Sequence, residues 1–195
     1  GCNKFCTYCI IPKVRGRSRS RPVKDIVTEA REIVTHGFRE IVLTGIQLGD
    51  FGLDLEEGAS AFLRLIEELA QVEALLRLRI SSILPQDISP DLIALMAASP
   101  RICRHLHIPL QSGSDLVLEA MRRGYTSAEF LRLIDKIREA MPGLGLTTDI
   151  MVGFPGETEE DYQELVEFIS QANLDAVGVF GYSDEDNTEA LELDG

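Results

Sequence analysis

Cys2, Cys6 and Cys9 lie in Gly-Cys-Asn-Lys-Phe-Cys-Thr-Tyr-Cys, a C-x3-C-x2-C spacing at the start of the chain. Three thiolates in one short loop can hold three irons of a cubic iron–sulfur cluster, which leaves the fourth iron open to a small molecule. A structural zinc site or a closed cluster wants four ligands. An open iron suits reductive cleavage of a sulfonium such as S-adenosylmethionine. Its amino and carboxylate groups chelate the iron, and the cluster supplies one electron. Zinc would need a fourth ligand from Cys103, His105 or His107, in a segment that reads as a strand entering the core. A lone cysteine in such a strand is more often a small apolar residue than a ligand. Cys6-Thr-Tyr-Cys9 is also a C-x-x-C redox spacing. That reading leaves Cys2 idle and lacks the strand-then-helix setting, so the spacing favours the cluster.

The elements that must position this loop alternate between strand and helix. Helical periodicity covers Val23 to Thr35, Ser60 to Gln71, Pro90 to Ala98, Ser114 to Arg122, Ser127 to Met141 and Thr158 to Ala172. Ser89, Ser114 and Thr158 are the expected N-caps, and Glu157, Glu159, Glu160 and Asp161 favour the N-terminal dipole of the last helix. Short β-branched runs at Glu40 to Thr44, Leu78 to Ile83, His105 to Leu110, Leu144 to Val152 and Ala176 to Tyr182 read as strands. Repeated β–α units imply an α/β fold with a parallel sheet and helices outside.

Ligands bind at the carboxyl ends of parallel strands. Thr44, Gly45 and Gln47 follow the first visible strand, Ser81 the second, and Gln111 and Ser112 the third. Gln111 and Ser112 are candidates for ribose hydroxyls or a carboxylate. Gly153, Phe154 and Pro155 form a tight turn after the fourth strand, open enough for a flat ring to approach. Asp149 is unusual on an otherwise apolar strand. His107 reads as a structural histidine.

At 195 residues, 45% of them apolar, the chain is one domain or one large piece of one. No apolar run has the length of a membrane span, and the polar first residues do not read as a signal peptide. Free cysteines favour a reducing cytoplasm. The net charge of −13 argues against a generic nucleic-acid binder. Yet Lys13, Arg15, Arg17, Arg19, Arg21 and Lys24 precede Asp25 with no acid among them. Acid concentrates instead in Asp54 to Glu57, Glu157 to Asp161 and Asp184 to Glu192. The basic strip beside the cluster loop is a candidate phosphate contact. A solvated loop, with some arginines paired inside the domain, is the competing reading.

Cys2-Asn-Lys-Phe-Cys-Thr-Tyr-Cys-Ile-Ile-Pro12, Arg15-Gly16, Ser20-Arg21-Pro22 and Val152-Gly-Phe-Pro-Gly-Glu-Thr158 together resemble the core of the radical-SAM methylthiotransferases. The resemblance covers essentially the whole chain. It implies a partial (β/α)6 radical-SAM barrel over residues 1–183 whose first strand would precede Gly1. Residues 184–195 are expected to be an acidic tail leading toward an absent C-terminal domain. It further implies a 4Fe-4S cluster on Cys2, Cys6 and Cys9, with S-adenosyl-L-methionine contacted by the strand-end residues named above and adenine at Gly153 to Pro155. A second 4Fe-4S cluster is expected in an absent N-terminal domain, with flavodoxin or ferredoxin as electron donor. In this family a 5′-deoxyadenosyl radical abstracts hydrogen from adenine carbon 2, a methylthio unit assembled at the second cluster adds there, and a second S-adenosylmethionine supplies the methyl group.

Leu43 to Asp50, Arg79 to Ser82 and His105 to Asp115 are most similar to the branch acting on N6-threonylcarbamoyladenosine of tRNA, which is therefore the expected substrate. Val177 to Asp186 is more similar to the branch acting on a ribosomal-protein aspartate. The isopentenyladenosine branch fits less well after the first visible strand. An iron–sulfur electron-transfer or structural module is the alternative of another class.

Overall fold

Among the described residues, five parallel strands lie side by side in chain order. The computed structural model describes residues 1–56 and 58–193, so Glu57 of the first acidic run and Asp194 and Gly195 of the tail lie outside the described residues. The strands are β1 (Glu40–Leu43), β2 (Arg77–Ile80), β3 (His105–His107), β4 (Gly145–Val152) and β5 (Ala176–Gly181). β1 pairs with β2 from Glu40↔Arg77 to Leu43↔Ile80. β3 pairs with β4 from His105↔Gly145, and β4 with β5 from Thr147↔Ala176 to Val152↔Gly181. Isolated parallel bridges, Leu78↔Ile102 and Ser82↔His107, join the two groups. The strip therefore runs 1-2-3-4-5 without the reversal of a doubly wound sheet, which is the order of a β/α barrel.

Helices occupy every crossover. α1 (Ile11–Arg15) and α2 (Val23–Thr35) precede β1, α3 (Ala61–Ala70) follows it, and α4 (Pro90–Ala98) links β2 to β3. α5 (Asp115–Ala120) and α6 (Ser127–Ala140) link β3 to β4, and α7 (Glu159–Ala172) links β4 to β5. Strand burial alternates with the pleat. Leu146, Thr148 and Ile150 of β4 are buried, whereas Thr147, Asp149 and Met151 are half-exposed. The buried set joins Leu78, Ile80 and Leu106 with Val27, Ile66, Phe130 and Leu165 of the helices in one apolar core. The opposite face of the strip is mixed: Glu40 pairs with Arg77 at 3.0 Å and with Arg79 at 3.5 Å, while Val42 and Phe180 stand exposed.

Three sequence expectations change at particular residues. β3 stops at His107 instead of reaching Leu110, because Pro109 has no N–H for the ladder. The Thr148 hydroxyl repairs the gap, donating to Ile108 O at 2.7 Å and accepting from Leu110 N at 2.9 Å. Gln111 then rejoins β4 through its bridge to Ile150. Ser114 stands at the N-cap position of α5 but makes no capping bond. Its hydroxyl donates instead to Asp161 Oδ1 at 2.5 Å, which ties α5 to α7. Gly113 permits that approach, since a Cβ there would lie 2.6 Å from Leu165 Cα. Finally, the acidic tail, read from sequence as having little core signal, contributes one residue to the interior. Ala190 is fully buried with Val117, Met121 and Phe154, and its amide donates to Thr7 O at 2.9 Å.

Candidate cluster and cofactor site

The cysteine loop sits over the carboxyl ends of the strands and is held from several sides. Thr7 N donates to Met121 O at 3.2 Å, and Thr7 Oγ1 donates to Ala120 O at 2.8 Å. Asp50, buried beyond β1, accepts from Asn3 N at 3.1 Å and from Ser18 Oγ at 2.7 Å. Lys4 lies between Asp50 at 3.7 Å and Asp87 beyond β2 at 3.6 Å. Burial raises the Asp87 carboxyl above its ordinary pKa, and the nearby Asp50 charge raises it further.

All three loop cysteines are free, Cys2 buried and Cys6 and Cys9 half-buried. Lys4 N points at Cys2 Sγ at 3.3 Å. Burial pushes the Cys2 and Cys9 thiols up, and Cys6 pushes both further, so the sulfurs share one electrostatic neighbourhood. Among the described residues no three acidic, histidine or cysteine side chains converge on a single-ion site. A cubane asks for something else, one thiolate on each of three corner irons. The zinc candidates lie elsewhere. Cys103 and His105 are at the amino end of β3, the far end of the strip from the loop. His107 is bound to Thr147 Oγ1 at 2.9 Å and to Asp149 Oδ2 at 3.1 Å. The donor set is the three loop thiols, joined by no fourth side chain among the described residues, and it fits a cluster with an open iron.

The strand-end candidates divide into open and consumed groups. Thr44 and Gly45 are exposed at the end of β1, on a cleft of about 200 Å³ shared with Ser18 to Arg21. Ser81 is half-exposed beyond β2, its amide bonded to Leu43 O at 3.1 Å. Gln111 is half-exposed in a left-handed conformation, φ 75°. Gln47 donates its side-chain amide to Asp87, so that group is not free. Ser112 is fully buried, its hydroxyl accepting from Ser114 N at 3.2 Å. Its hydroxyl is committed to the turn. Asp149 is engaged by His107 and packs against Gly178, where a Cβ would meet its Oδ1 at 2.4 Å.

Gly153 (φ 74°) and Gly156 (φ 82°) shape the turn after β4. Phe154 is buried edge-on between Tyr8 (6.5 Å) and Tyr182 (5.6 Å), so its ring braces the turn from beneath. Pro155 and the glycines border a cleft of about 550 Å³ closed on one side by Ala190, Leu191 and Leu193 of the tail. Glu157 does more than favour α7, because its Oε2 accepts from Gly153 N and closes the turn. Its other oxygen is enclosed and has no hydrogen-bond partner among the described residues.

The basic strip is partly spent within the domain. The Arg17 guanidinium lies over the Phe5 ring at 4.6 Å, and Arg21 pairs with Glu29 at 2.6 Å. Arg15 and Arg19 are exposed. Sequence reasoning passed over Arg123, which reaches Cys6 Sγ at 3.2 Å, and the tail clip of Arg122 to Glu189 at 2.7 Å. The pattern Met121-Arg-Arg-Gly-Tyr125 held the signal, but only its distance from the cysteines in space gives it meaning.

A model of the radical SAM superfamily matches residues 1–169. The chain belongs to that family. Two curated relatives are tRNA-2-methylthio-N(6)-dimethylallyladenosine synthases. The one from Carboxydothermus hydrogenoformans is 44% identical across 99% of this chain and 44% of its own length. The one from Clostridium tetani is 42% identical across 100% of this chain and 43% of its own. The chain thus spans less than half the length of these relatives. The solved radical S-adenosylmethionine methyltransferase TsrM from Kitasatospora setae, with cobalamin and a [4Fe-4S] cluster bound, superposes with a TM-score of 0.74. That match has 20% identity and covers 93% of this chain and 32% of TsrM. Coproporphyrinogen III oxidase HemN from Escherichia coli gives 0.66 at 19% identity, covering 98% of this chain and 44% of HemN. These two likenesses establish the shared fold.

Proposed function

We propose that this chain is the radical-generating core of a tRNA methylthiotransferase, holding a 4Fe-4S cluster on Cys2, Cys6 and Cys9 and S-adenosylmethionine beside it. The observation that carries the proposal is the set of three free thiols in one loop, at the ligand-binding end of the strip, with no fourth side chain among the described residues to complete the shell. When bound, the cluster supplies the electron that splits the sulfonium. The chain's own residues position and shield. Thr44 and Gly45 present exposed backbone beside the loop, and glycine lets a ligand approach it closely. Gly153, Pro155 and Gly156 leave an open rim for an adenine ring, with Phe154, Tyr8 and Tyr182 as its rigid floor. The unpartnered Glu157 oxygen is an acceptor that the adenine amino group would satisfy. Arg15 and Arg19 remain open for phosphate.

The curated relatives support N6-dimethylallyladenosine as the substrate over the N6-threonylcarbamoyladenosine favoured by the individual motifs, because their identity extends over the whole chain. A low-potential single-electron donor such as flavodoxin or ferredoxin completes the reaction. Among the described residues no helix is long and apolar enough to cross a membrane.

The test uses tRNA deuterated at adenine carbon 2, offered with either N6 group, together with the reduced protein and S-adenosylmethionine. Deuterium in 5′-deoxyadenosine from the dimethylallyl substrate supports the proposal. Transfer only from the threonylcarbamoyl substrate reverses the choice. 5′-Deoxyadenosine absent under all conditions refutes the radical reading.

A further inference from the structure

Arg123 is the most enclosed arginine near the loop, 7% exposed. Every arm of its fork is engaged. Nε donates to Tyr125 Oη at 3.0 Å, Nη1 to Tyr8 Oη at 3.1 Å and to Cys6 Sγ at 3.2 Å, and Nη2 to Pro109 O at 3.4 Å. Tyr125 in turn donates to Pro109 O at 3.0 Å and to Leu110 O at 2.7 Å, which locks the fork to the end of β3. No carboxylate is among these partners. A buried cation without a carboxylate beside it is expensive, and the guanidinium spends one of its N–H groups on the Cys6 sulfur at 3.2 Å. The adjacent Arg122 is the contrast, since it is exposed and faces Glu189.

We infer that Arg123 is a positioning residue for the cluster, orienting Cys6 and setting the cluster's reduction potential through its charge and its N–H···S bond. The inference rests on the proposed role of Cys6 as a ligand. Reduction adds an electron to a unit already negative. A fixed cation and a donor to sulfur favour the more negative state, so they raise the potential. Tyr8 carries the same fork toward the floor under Gly153, so one guanidinium couples the cluster loop to the proposed adenine rim.

The experiment is an anaerobic redox titration of the reconstituted protein, followed by spin resonance, with iron and sulfide counted per chain. The wild type is first checked for a spectrum that S-adenosylmethionine perturbs. If it is indifferent, the functional reading fails whatever Arg123 does. Given that response, Arg123→Gln should load a cluster whose reduced-to-oxidised ratio at the wild-type midpoint is about tenfold lower, which for one electron is about 59 mV. A fully loaded Arg123→Gln protein with an unchanged midpoint overturns the inference. If the glutamine variant does not fold, Arg123→Lys keeps the charge and loses the fork. A smaller but resolved fall is expected there, and an unchanged midpoint overturns the inference equally.

Discussion

Replacing Asp161 tests whether the Gln111–Ser114 loop and the start of α7 are held as a unit. Asp161 is the third residue of α7. Its carboxylate accepts from Ser114 Oγ at 2.5 Å, Thr158 N at 2.9 Å and Thr158 Oγ1 at 2.7 Å, and Asp161 N donates to Thr158 Oγ1 at 3.2 Å. It therefore closes the capping box of α7 and anchors the Gln111–Ser114 loop in the same contact. Asp161→Ala leaves a fully buried Ser114 hydroxyl and a helix-start amide without acceptors. At about 1 kcal/mol net for each of three lost bonds, the cost is about 3 kcal/mol. For a chain of this size that is a fall in Tm of about 6–12 °C. The Ser114 hydroxyl, then the Thr158 amide and hydroxyl, hold the Asp161 carboxyl below its ordinary pKa. The sign follows from linkage: the stabilisation is present above the unfolded carboxylate pKa of about 3.9 and is lost as pH falls through the lower folded value. Thermal denaturation followed by circular dichroism at pH 7 and across the acid range is the assay. The gap between wild type and Asp161→Ala should be full at pH 7 and should narrow at the acid end, with Asp161→Asn between them. Equal Tm values at pH 7, or a gap that widens in acid, would refute the reasoning.

Ala190→Asp places a charge in the fully buried pocket formed by Val117, Met121 and Phe154. Limited proteolysis should then cut beyond Tyr182 faster while the remaining domain keeps its far-ultraviolet spectrum. Gly113→Ala forces a Cβ to within 2.6 Å of Leu165 Cα and 2.9 Å of Phe168 Cβ. It should cost about 1–3 kcal/mol, read as a lower denaturant midpoint. Replacing Arg15 and Arg19 by Gln should weaken tRNA binding and flatten its salt dependence by about one slope unit per lost phosphate contact. Arg21→Gln should do less, because Arg21 is paired with Glu29. Binding isotherms over a salt series decide between the two.

The strand–helix alternation was legible because each element has a strong period and clear punctuation. Ser89 caps α4 by accepting from Leu92 N at 3.1 Å, and Thr158 caps α7. The cysteine loop stood out in the sequence by its spacing together with its flanking residues. What the sequence hid is what tertiary contact creates. Ser112 and Ser114 look alike as polar residues in a glycine turn, and only the fit of α7 onto Gly113 shows that both are enclosed. Gln47 reads as a free amide until Asp87, far along the chain, arrives beside it. The tail carried no apolar period, yet one small residue, Ala190, and one ion pair fold it over the loop. Arg123 and Arg122 are neighbours of one type with opposite fates, one sealed against a sulfur and the other clipped to the surface. The difference depends on which of them faces the strip.

The most direct test of the central claim is a spin-resonance spectrum of the anaerobically reconstituted and reduced protein, recorded with and without S-adenosylmethionine. A 4Fe-4S signal that the sulfonium shifts, absent when Cys2, Cys6 and Cys9 are replaced by alanine, is the predicted result. A cubane whose spectrum ignores the sulfonium, or a protein that takes up zinc on four ligands instead, would contradict it.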